Sequence, residues 1–264
     1  KKFQEAVELF EKAQKTGTAA EAEAMFQLGR TYLVMNKVEE GLRILVNIPR
    51  DFPDSPVLSR VYYQLGLHYR ESNQLPNASY AFRRVIDLST RESEIKSALA
   101  ALIRSYEQTG QYESALSGVE DYLERFSGDE SALDMRMKKA SIFFNMHEYD
   151  RAYQLYSDIK PYVNPDDESL CQFRMAECYY NKGQFAEAVT EFLKVYYISP
   201  PTKFPFKPTA LIRAGDSYGK LDRPQQAIKL YTKVIETRGA MSRMGEAARE
   251  RIEKLKEKDG PAHG

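Results

Sequence analysis

The stretch KGQFAEAV, from Lys182 to Val189, has a close copy in TGQYESAL, from Thr109 to Leu116. In both stretches a glycine and a glutamine precede an aromatic residue, and a small residue follows that aromatic residue three positions later. The two copies begin 73 residues apart. Self-similarity of this kind, when it recurs at a fixed interval, indicates a chain built from structural repeats.

The small residue of these stretches recurs along the whole chain at intervals of 35 to 39 residues. It stands at Ala6, Gly41, Ala78, Ala115, Ala152, Ala188 and Ala227. An aromatic residue, here called the anchor, stands nine positions before each of the last six: Tyr32, Tyr69, Tyr106, Phe143, Tyr179 and Tyr218. Apolar residues four and seven positions after each small residue complete a stripe at helical spacing. The pattern predicts antiparallel helix pairs of roughly 37 residues, joined by short polar turns.

The predicted first helix of three pairs contains a glycine, at Gly29, Gly66 or Gly215. A glycine inside a helix costs about 1 kcal/mol relative to alanine. That cost is acceptable where a neighbouring helix must approach closely. The small residue of the second helix suits such an approach, so we expect it to lie against the glycine.

The segments QLGRTY, from Gln27 to Tyr32, and QLGLHY, from Gln64 to Tyr69, place leucine and glycine before the anchor tyrosine. Followed by the small residue and then an aromatic residue, this order resembles the tetratricopeptide repeat. The resemblance covers nearly the whole chain and implies an all-α fold, a right-handed α-solenoid of antiparallel helix pairs wound into a superhelix. Two features depart from the family: tryptophan is absent, and Lys139 and Ala140 stand where leucine and glycine are common.

The resemblance divides residues 1–264 into a single array of repeats. The predicted units are 1–16, the second helix of a truncated first repeat, then full repeats at 19–54, 55–92, 93–129, 130–165, 166–203 and 204–240, a capping helix at 241–258 and a disordered tail at 259–264. A terminal helix that is charged on one side and apolar on the other suits a solubilising cap.

Opposite charges are balanced in this chain, with 38 lysine and arginine residues against 38 aspartate and glutamate residues. No global field therefore favours nucleic acid or an anionic membrane. A membrane-spanning helix needs about 20 mainly apolar residues, and the sequence contains no such stretch. We therefore predict no transmembrane segment and no nucleic-acid partner.

Residues suited to catalysis or metal binding are scattered in the sequence. His68, His147 and His263 have no second histidine or cysteine at metal-ligand spacing. Cys171 and Cys178 are seven residues apart on one predicted helix, about 10 Å along its axis, whereas a disulfide needs Cα atoms within about 7 Å. We predict two free, mostly buried thiols. No nucleophile elbow or phosphate-binding loop is present, so we predict no enzyme, no cofactor and no metal site.

The family resemblance implies a concave groove lined by residues six, five and two positions before each anchor and one position after it. Carried onto this sequence, these positions give the candidate groove residues Arg30, Tyr63, Arg70, Arg104, Lys138, Phe144, Phe173, Arg174, Tyr180 and Arg213. Aromatic rings of this kind could hold a peptide, and the guanidinium groups could pair with its carboxylates. The alternative is that the rings pack between helices while the arginines lie in water. The paired lysines and asparagines of chaperone-binding members are absent.

One connection is unusually rich in proline: YYISPPTKFPFKP, from Tyr196 to Pro208. Because proline denies hydrogen bonds to a helix, we expect a stiff, extended loop here. Phe204 and Phe206 alternate along it. They either contact a partner or fold back onto the next helix pair.

These observations favour a non-enzymatic scaffold that binds a protein or peptide partner in the groove. An alternative is a self-associating module, because the unpaired helix 1–16 leaves Val7 and Phe10 without a partner, and another copy could supply one. RNA recognition by helical repeats is disfavoured by the zero net charge. The segment FPDSP, from Phe52 to Pro56, resembles the link in tetratricopeptide proteins of the bacterial envelope, such as the Tol-Pal coordinator and an outer-membrane assembly lipoprotein. It favours the periplasm or envelope over the cytoplasm.

Overall fold

The computed structural model describes residues 19–259, and every regular element in that range is a helix. The chain divides into two compact units, residues 1–125 and 126–264. The predicted helix at 1–16, with its proposed self-association, lies outside the described residues, as does the tail from residue 260. No described helix is long and apolar enough to cross a membrane.

The first unit consists of three helix pairs in its described part. Its helices are α1 (Ala19–Val34), α2 (Val38–Leu45), the single turn α3 (Ile48–Asp51), α4 (Leu58–Glu71), α5 (Leu75–Leu88), α6 (Glu92–Gln108) and α7 (Tyr112–Arg125). The first helices of the pairs are α1, α4 and α6, and each packs against the second helix that follows it.

The second unit consists of three further pairs and a terminal helix. Its helices are α8 (Ala132–Asn145), α9 (Tyr149–Ile159), which runs into a 3₁₀ turn at Lys160–Tyr162, α10 (Pro165–Asn181), α11 (Phe185–Tyr197), α12 (Phe206–Lys220), α13 (Pro224–Arg238) and α14 (Arg243–Asp259). The first helices are α8, α10 and α12, and α14 packs against α13.

The same turn joins the two helices of every described pair. One residue with a left-handed backbone closes each turn, at Asn36, Asn73, Gly110, His147, Gly183 and Asp222. The next residue donates its backbone N–H to the carbonyl of the anchor, as Gln184 does to Tyr179 at 3.0 Å. A left-handed residue at a helix end lets the following amides satisfy the last carbonyls. Gly110 and Gly183, the glycines of the two repeated stretches TGQYESAL and KGQFAEAV, therefore serve this turn.

Small residues and rings meet in the interior of each unit, as the repeat predicts. Ala115 is fully buried and Tyr106 retains 8% of its exposed surface. In the second unit, Ala188 and Phe192 are likewise buried, in a cluster with Ala214. The all-α fold of stacked helix pairs is therefore confirmed.

The expected contact between glycine and the small residue of the partner helix is seen between Gly29 and Gly41. A Cβ placed on Gly41 would lie 2.8 Å from the carbonyl oxygen of Gly29. At Gly66 and Gly215, a large ring lies over the glycine instead: an added Cβ would lie 2.7 Å from Phe82 and 2.5 Å from Tyr231. These glycines make room for a ring, because the second helix places its bulky residue one turn after the small one.

The prediction of two free, buried thiols is confirmed. Cys171 and Cys178 both lie on α10 and are unpaired. Burial raises the pKa of each thiol to about 12, which leaves both unreactive at neutral pH.

Candidate functional site

The predicted groove residues all lie on the first helices of their pairs. Arg30 is on α1, Tyr63 and Arg70 are on α4, Arg104 is on α6, Lys138 and Phe144 are on α8, Phe173, Arg174 and Tyr180 are on α10, and Arg213 is on α12. We call the surface that these helices present within each unit its first-helix face.

In the first unit, this face contains an ion pair that the sequence reasoning missed. Arg60 of α4 binds Glu23 of α1, with 3.1 Å between its Nη1 and one carboxylate oxygen, and its guanidinium lies 4.9 Å from the centre of the Phe26 ring. Gln27 donates a further hydrogen bond to Glu23 at 2.7 Å. Burial raises the pKa of Glu23, but the bonds from Arg60 and Gln27 together outweigh it, so the pKa is lowered. Both ion-pair residues precede their anchors by nine positions, a regularity that the sequence already contains.

The three predicted arginines of the first unit have no such partner. Arg30 and Arg104 are exposed and Arg70 is half-buried. Arg30 lies 5.5 Å from the Phe26 ring centre. No described carboxylate lies within ion-pair distance of these three arginines, although the positive charge of Arg30 helps to lower the pKa of Glu23.

In the second unit, two predicted arginines hold one carboxylate between them. Arg174 Nη1 donates to Glu177 Oε2 at 2.7 Å, and Arg213 Nη2 lies 3.5 Å from Glu177 Oε1. The Arg174 guanidinium lies 5.5 Å from the Phe144 ring centre, and that of Arg213 lies 4.2 Å from the Tyr180 ring centre. We call this arrangement of two arginines and two rings around Glu177 the arginine cradle.

A small open pocket adjoins the cradle. Its volume is about 270 Å³, and Arg174 is one of its lining residues, together with Lys138, Ser141, Tyr156 and Asp167. The pocket lies on the first-helix face because α8 and α10 both contribute to it. It offers space for a side chain beside a fixed guanidinium group.

A second polar cluster connects α12 to the terminal helix. Asp216 accepts hydrogen bonds from the Tyr231 hydroxyl and from Arg251 Nε, each at 2.8 Å. Burial, with the nearby Asp216 carboxylate, raises the pKa of Tyr231. This cluster therefore fastens α14 to the pair before it.

Two of the aromatic residues predicted to contact a partner pack against rings of the second unit: Phe173 is buried and Phe206 is half-buried. Phe173 retains 8% exposure and packs against the rings of Phe192 and Phe206, with centroid distances of 5.4 and 5.9 Å. Phe206 begins α12 and so folds back onto a helix pair, whereas Phe204 is 60% exposed. The loop is fixed by the Lys203 backbone N–H, which donates to Asp166 Oδ1 at 3.1 Å.

Acid–base and metal-binding groups are dispersed over the described part of the chain. Between residues 19 and 259, no three His, Cys, Asp or Glu side chains come together in a way that could hold a metal ion. His147 contacts the Tyr149 hydroxyl at 2.7 Å, which is a local contact of the left-handed turn.

Comparison with known proteins agrees with this architecture. Residues 23–55, 170–200 and 209–238 match the model of the tetratricopeptide repeat family. The fold is the tetratricopeptide-repeat fold. No curated protein matches the sequence.

Several solved tetratricopeptide structures resemble this chain at low sequence identity. MamA from Desulfovibrio magneticus RS-1, residues 41 to the end, is 12% identical with a TM-score of 0.55 and covers 70% of this chain and 97% of its own. YrrB, described as a tetratricopeptide protein with an unusual peptide-binding site, is 16% identical with a TM-score of 0.50 and covers 78% and 97%. A putative kinesin light chain of Podospora anserina with nearly identical repeats is 17% identical with a TM-score of 0.54, and covers 75% and 98%. The likeness concerns the fold.

Proposed function

We propose that this protein is a non-enzymatic scaffold that binds a segment of a partner protein on its first-helix face. The observation that carries the proposal is the arginine cradle of the second unit. Ring contacts hold Arg174 and Arg213 in place, at 5.5 Å from Phe144 and 4.2 Å from Tyr180, while both guanidinium groups remain partly open to solvent.

Fixed arginines and half-buried rings are the side chains that dominate binding energy at protein interfaces. A side chain already held in its bound geometry loses little conformational entropy when a partner arrives. The cradle and its adjoining pocket combine both properties. The peptide-binding site named for YrrB supports the same use of this fold.

We further propose that the scaffold acts in the bacterial envelope. The support for this location is the FPDSP segment, Phe52 to Pro56, alone. The whole segment lies in the connection between α3 and α4, where Phe52 packs against the core of the first unit.

Site-specific photocrosslinking tests the proposed binding face. Benzoylphenylalanine replaces Tyr180, which belongs to the cradle, in one variant and Tyr162, which is 72% exposed on a connection between pairs, in the other. We expect crosslinks to a discrete partner in an extract of the source cell from the Tyr180 position and none from Tyr162. Crosslinks that are equal from both positions, or absent from Tyr180, would count against binding on this face.

A further inference from the structure

We propose that the arginine cradle is a carboxylate-binding site for an acidic segment of the partner, and that Glu177 fills this site in the free protein. The inference rests on the proposed function, since it names the chemistry of the partner that binds the first-helix face. It concerns the second unit alone.

In the free protein, the cradle already holds a carboxylate group. Glu177 is 14% exposed and, among the carboxylates of residues 19–259, is the one that contacts both Arg174 and Arg213. A carboxylate accepts hydrogen bonds from guanidinium groups in a planar geometry that few other groups match. The site therefore selects a carboxylate over a neutral amide of the same shape.

The cradle also has unused capacity. Arg174 makes a short bond of 2.7 Å to Glu177, but the contact of Arg213 is 3.5 Å, which is too long for a good charge-assisted hydrogen bond. Within the cradle, the two guanidinium groups share the single carboxylate of Glu177. Each guanidinium has five N–H donors, and Arg213 keeps most of its donors for a second carboxylate or for one that displaces Glu177.

The charges around the cradle favour a peptide over a polyanion. Asp134 and Asp167 line the same pocket as Arg174 and Lys138. A nucleic acid presents a continuous row of phosphates and needs a matching stripe of cations, which these two aspartates would interrupt. A peptide can place a single glutamate or aspartate at the cradle and neutral residues beside the aspartates.

Peptide titration tests this assignment on the full chain. The probes are an array of twelve-residue peptides of fixed apolar content with zero to four glutamates, and twin peptides in which glutamine replaces every glutamate. The best acidic peptide is then titrated against the protein and its variants by fluorescence anisotropy. We expect acidic peptides to bind and their glutamine twins to bind at least about tenfold more weakly, as is usual when a charged partner is lost.

Three substitutions separate the roles of the cradle residues. Arg213→Gln should weaken binding of the acidic peptide about tenfold or more. Arg213→Lys keeps the charge but loses the planar contact with Tyr180, so it should restore only part of the affinity. Glu177→Gln removes the internal competitor, so it should tighten binding of the acidic peptide and leave its glutamine twin unchanged.

A matched control exists on another helix. Arg151 of α9 lies 3.9 Å from the Phe143 ring centre and pairs with Glu148 at 2.6 Å. Arg151→Gln and Glu148→Gln therefore remove an equally ring-backed ion pair away from the first-helix face, and neither should change peptide affinity. Melting temperatures of all variants show whether a loss of binding reflects a loss of folding.

Each contrary result has a definite meaning. Equal binding of acidic and glutamine peptides, or weaker acidic binding by Glu177→Gln, overturns the carboxylate assignment. Binding of a single-stranded RNA probe that Arg213→Gln abolishes overturns it in favour of phosphate. If Tyr180 crosslinks to a partner while no acidic peptide binds, the proposed function stands and this inference fails; if neither occurs, both fail.

Discussion

The first unit connects two successive first helices, and the second unit connects a first helix to the terminal helix, with the same kinds of side chains but in different surroundings. In the first unit, Glu23 and Arg60 join α1 to α4 through side chains that are 42% and 31% exposed. In the second unit, Asp216 is 19% exposed and accepts hydrogen bonds from both Arg251 and the buried hydroxyl of Tyr231. Water screens an exposed ion pair more strongly than a buried one, so the Asp216 cluster should contribute more to the free energy of unfolding than the Glu23–Arg60 pair.

The arginines on the first-helix faces also have fewer contacts in the first unit than in the second. Arg70 and Arg104 of the first unit have no ion-pair partner among the described carboxylates, whereas Arg174 and Arg213 share Glu177 and lie against rings. The arginines also occupy different repeat positions: Arg70 follows its anchor by one position and Arg104 precedes its anchor by two, whereas Arg174 and Arg213 each precede theirs by five. The neighbouring residues decide whether an arginine lies against a ring and a carboxylate or lacks both contacts.

The largest expected effect is the loss of Asp216. Asp216→Ala leaves the buried Tyr231 hydroxyl without an acceptor and Arg251 without its carboxylate, so it should lower the free energy of unfolding by about 2 to 4 kcal/mol. Glu23→Ala in the first unit should cost less than about 1 kcal/mol. Urea denaturation followed by circular dichroism measures both values.

Glu250→Ala provides the control for that experiment, because it removes an exposed ion pair with Lys254 on the same terminal helix. It should leave the denaturation midpoint unchanged. Equal losses for Asp216→Ala and Glu23→Ala would remove the distinction between the units.

A smaller effect is expected at the helix glycines. An alanine Cβ at Gly215 would lie 2.5 Å from the Tyr231 ring, which cannot shift without breaking its bond to Asp216. Overpacking of this kind costs about 1 to 3 kcal/mol, more than the roughly 1 kcal/mol that alanine gains as a helix former. At Gly29 the closest contact would be with Leu45 at 2.8 Å, and the Gly41 carbonyl oxygen would lie at 3.2 Å. Because Leu45 has no hydrogen bond to lose, Gly29→Ala should cost less. A thermal melt in which Gly29→Ala is the more damaging change would contradict this account.

The response to pH should also separate the units. In the first unit, burial raises the pKa of Glu94, but hydrogen bonds from Ser89, Ser59 and Arg91 outweigh burial, so its pKa is lowered, as is that of Glu23. Their stabilisation is complete above the unfolded value, about 4.3, and is lost as pH falls through the folded values. Acid should therefore loosen the first unit.

Alkali should act on the second unit. Burial raises the pKa of Cys171 and Cys178 from an ordinary 9.0 to about 12, so their stabilisation is complete below the ordinary value and is lost as pH rises towards 12. Methyl NMR signals of buried alanines in each unit follow both transitions. If the signals of both units disappeared together in acid or in alkali, the titration of these carboxyl and thiol groups would not act on one unit at a time.

The smallest expected effect is a change in the rate at which a thiol reagent modifies Cys171 and Cys178. Both cysteines of the chain lie on α10, so a thiol reagent reports on the second unit only. Labelling should be slow in the native protein, faster in Asp216→Ala and unchanged in Glu23→Ala. Faster labelling in Glu23→Ala would mean that the loss of an ion pair in the first unit also destabilises the second unit.

Much of the fold was predictable because the same local spacing of apolar, aromatic and small residues recurs in each repeat. The buried stripe, the anchors and the free thiols of Cys171 and Cys178 all followed from spacing. The ring over Gly215 did not, because the expected partner was the small residue Ala227, whereas Tyr231, one turn later, occupies the space. The left-handed turn residue four positions after each anchor was present in the sequence as Asn, Gly, His or Asp, which are the residues that tolerate this backbone.

The sequence by itself determined that this chain forms helix pairs, since helical spacing of apolar residues and turn residues acts over a few positions. It also placed arginines on the first helix of each pair. Only the tertiary structure decided which of them are held: Glu177 reaches Arg174 on its own helix, three residues away, but its contact with Arg213 crosses to the next first helix. Contacts between helices depend on packing, which brings together residues that no local pattern connects.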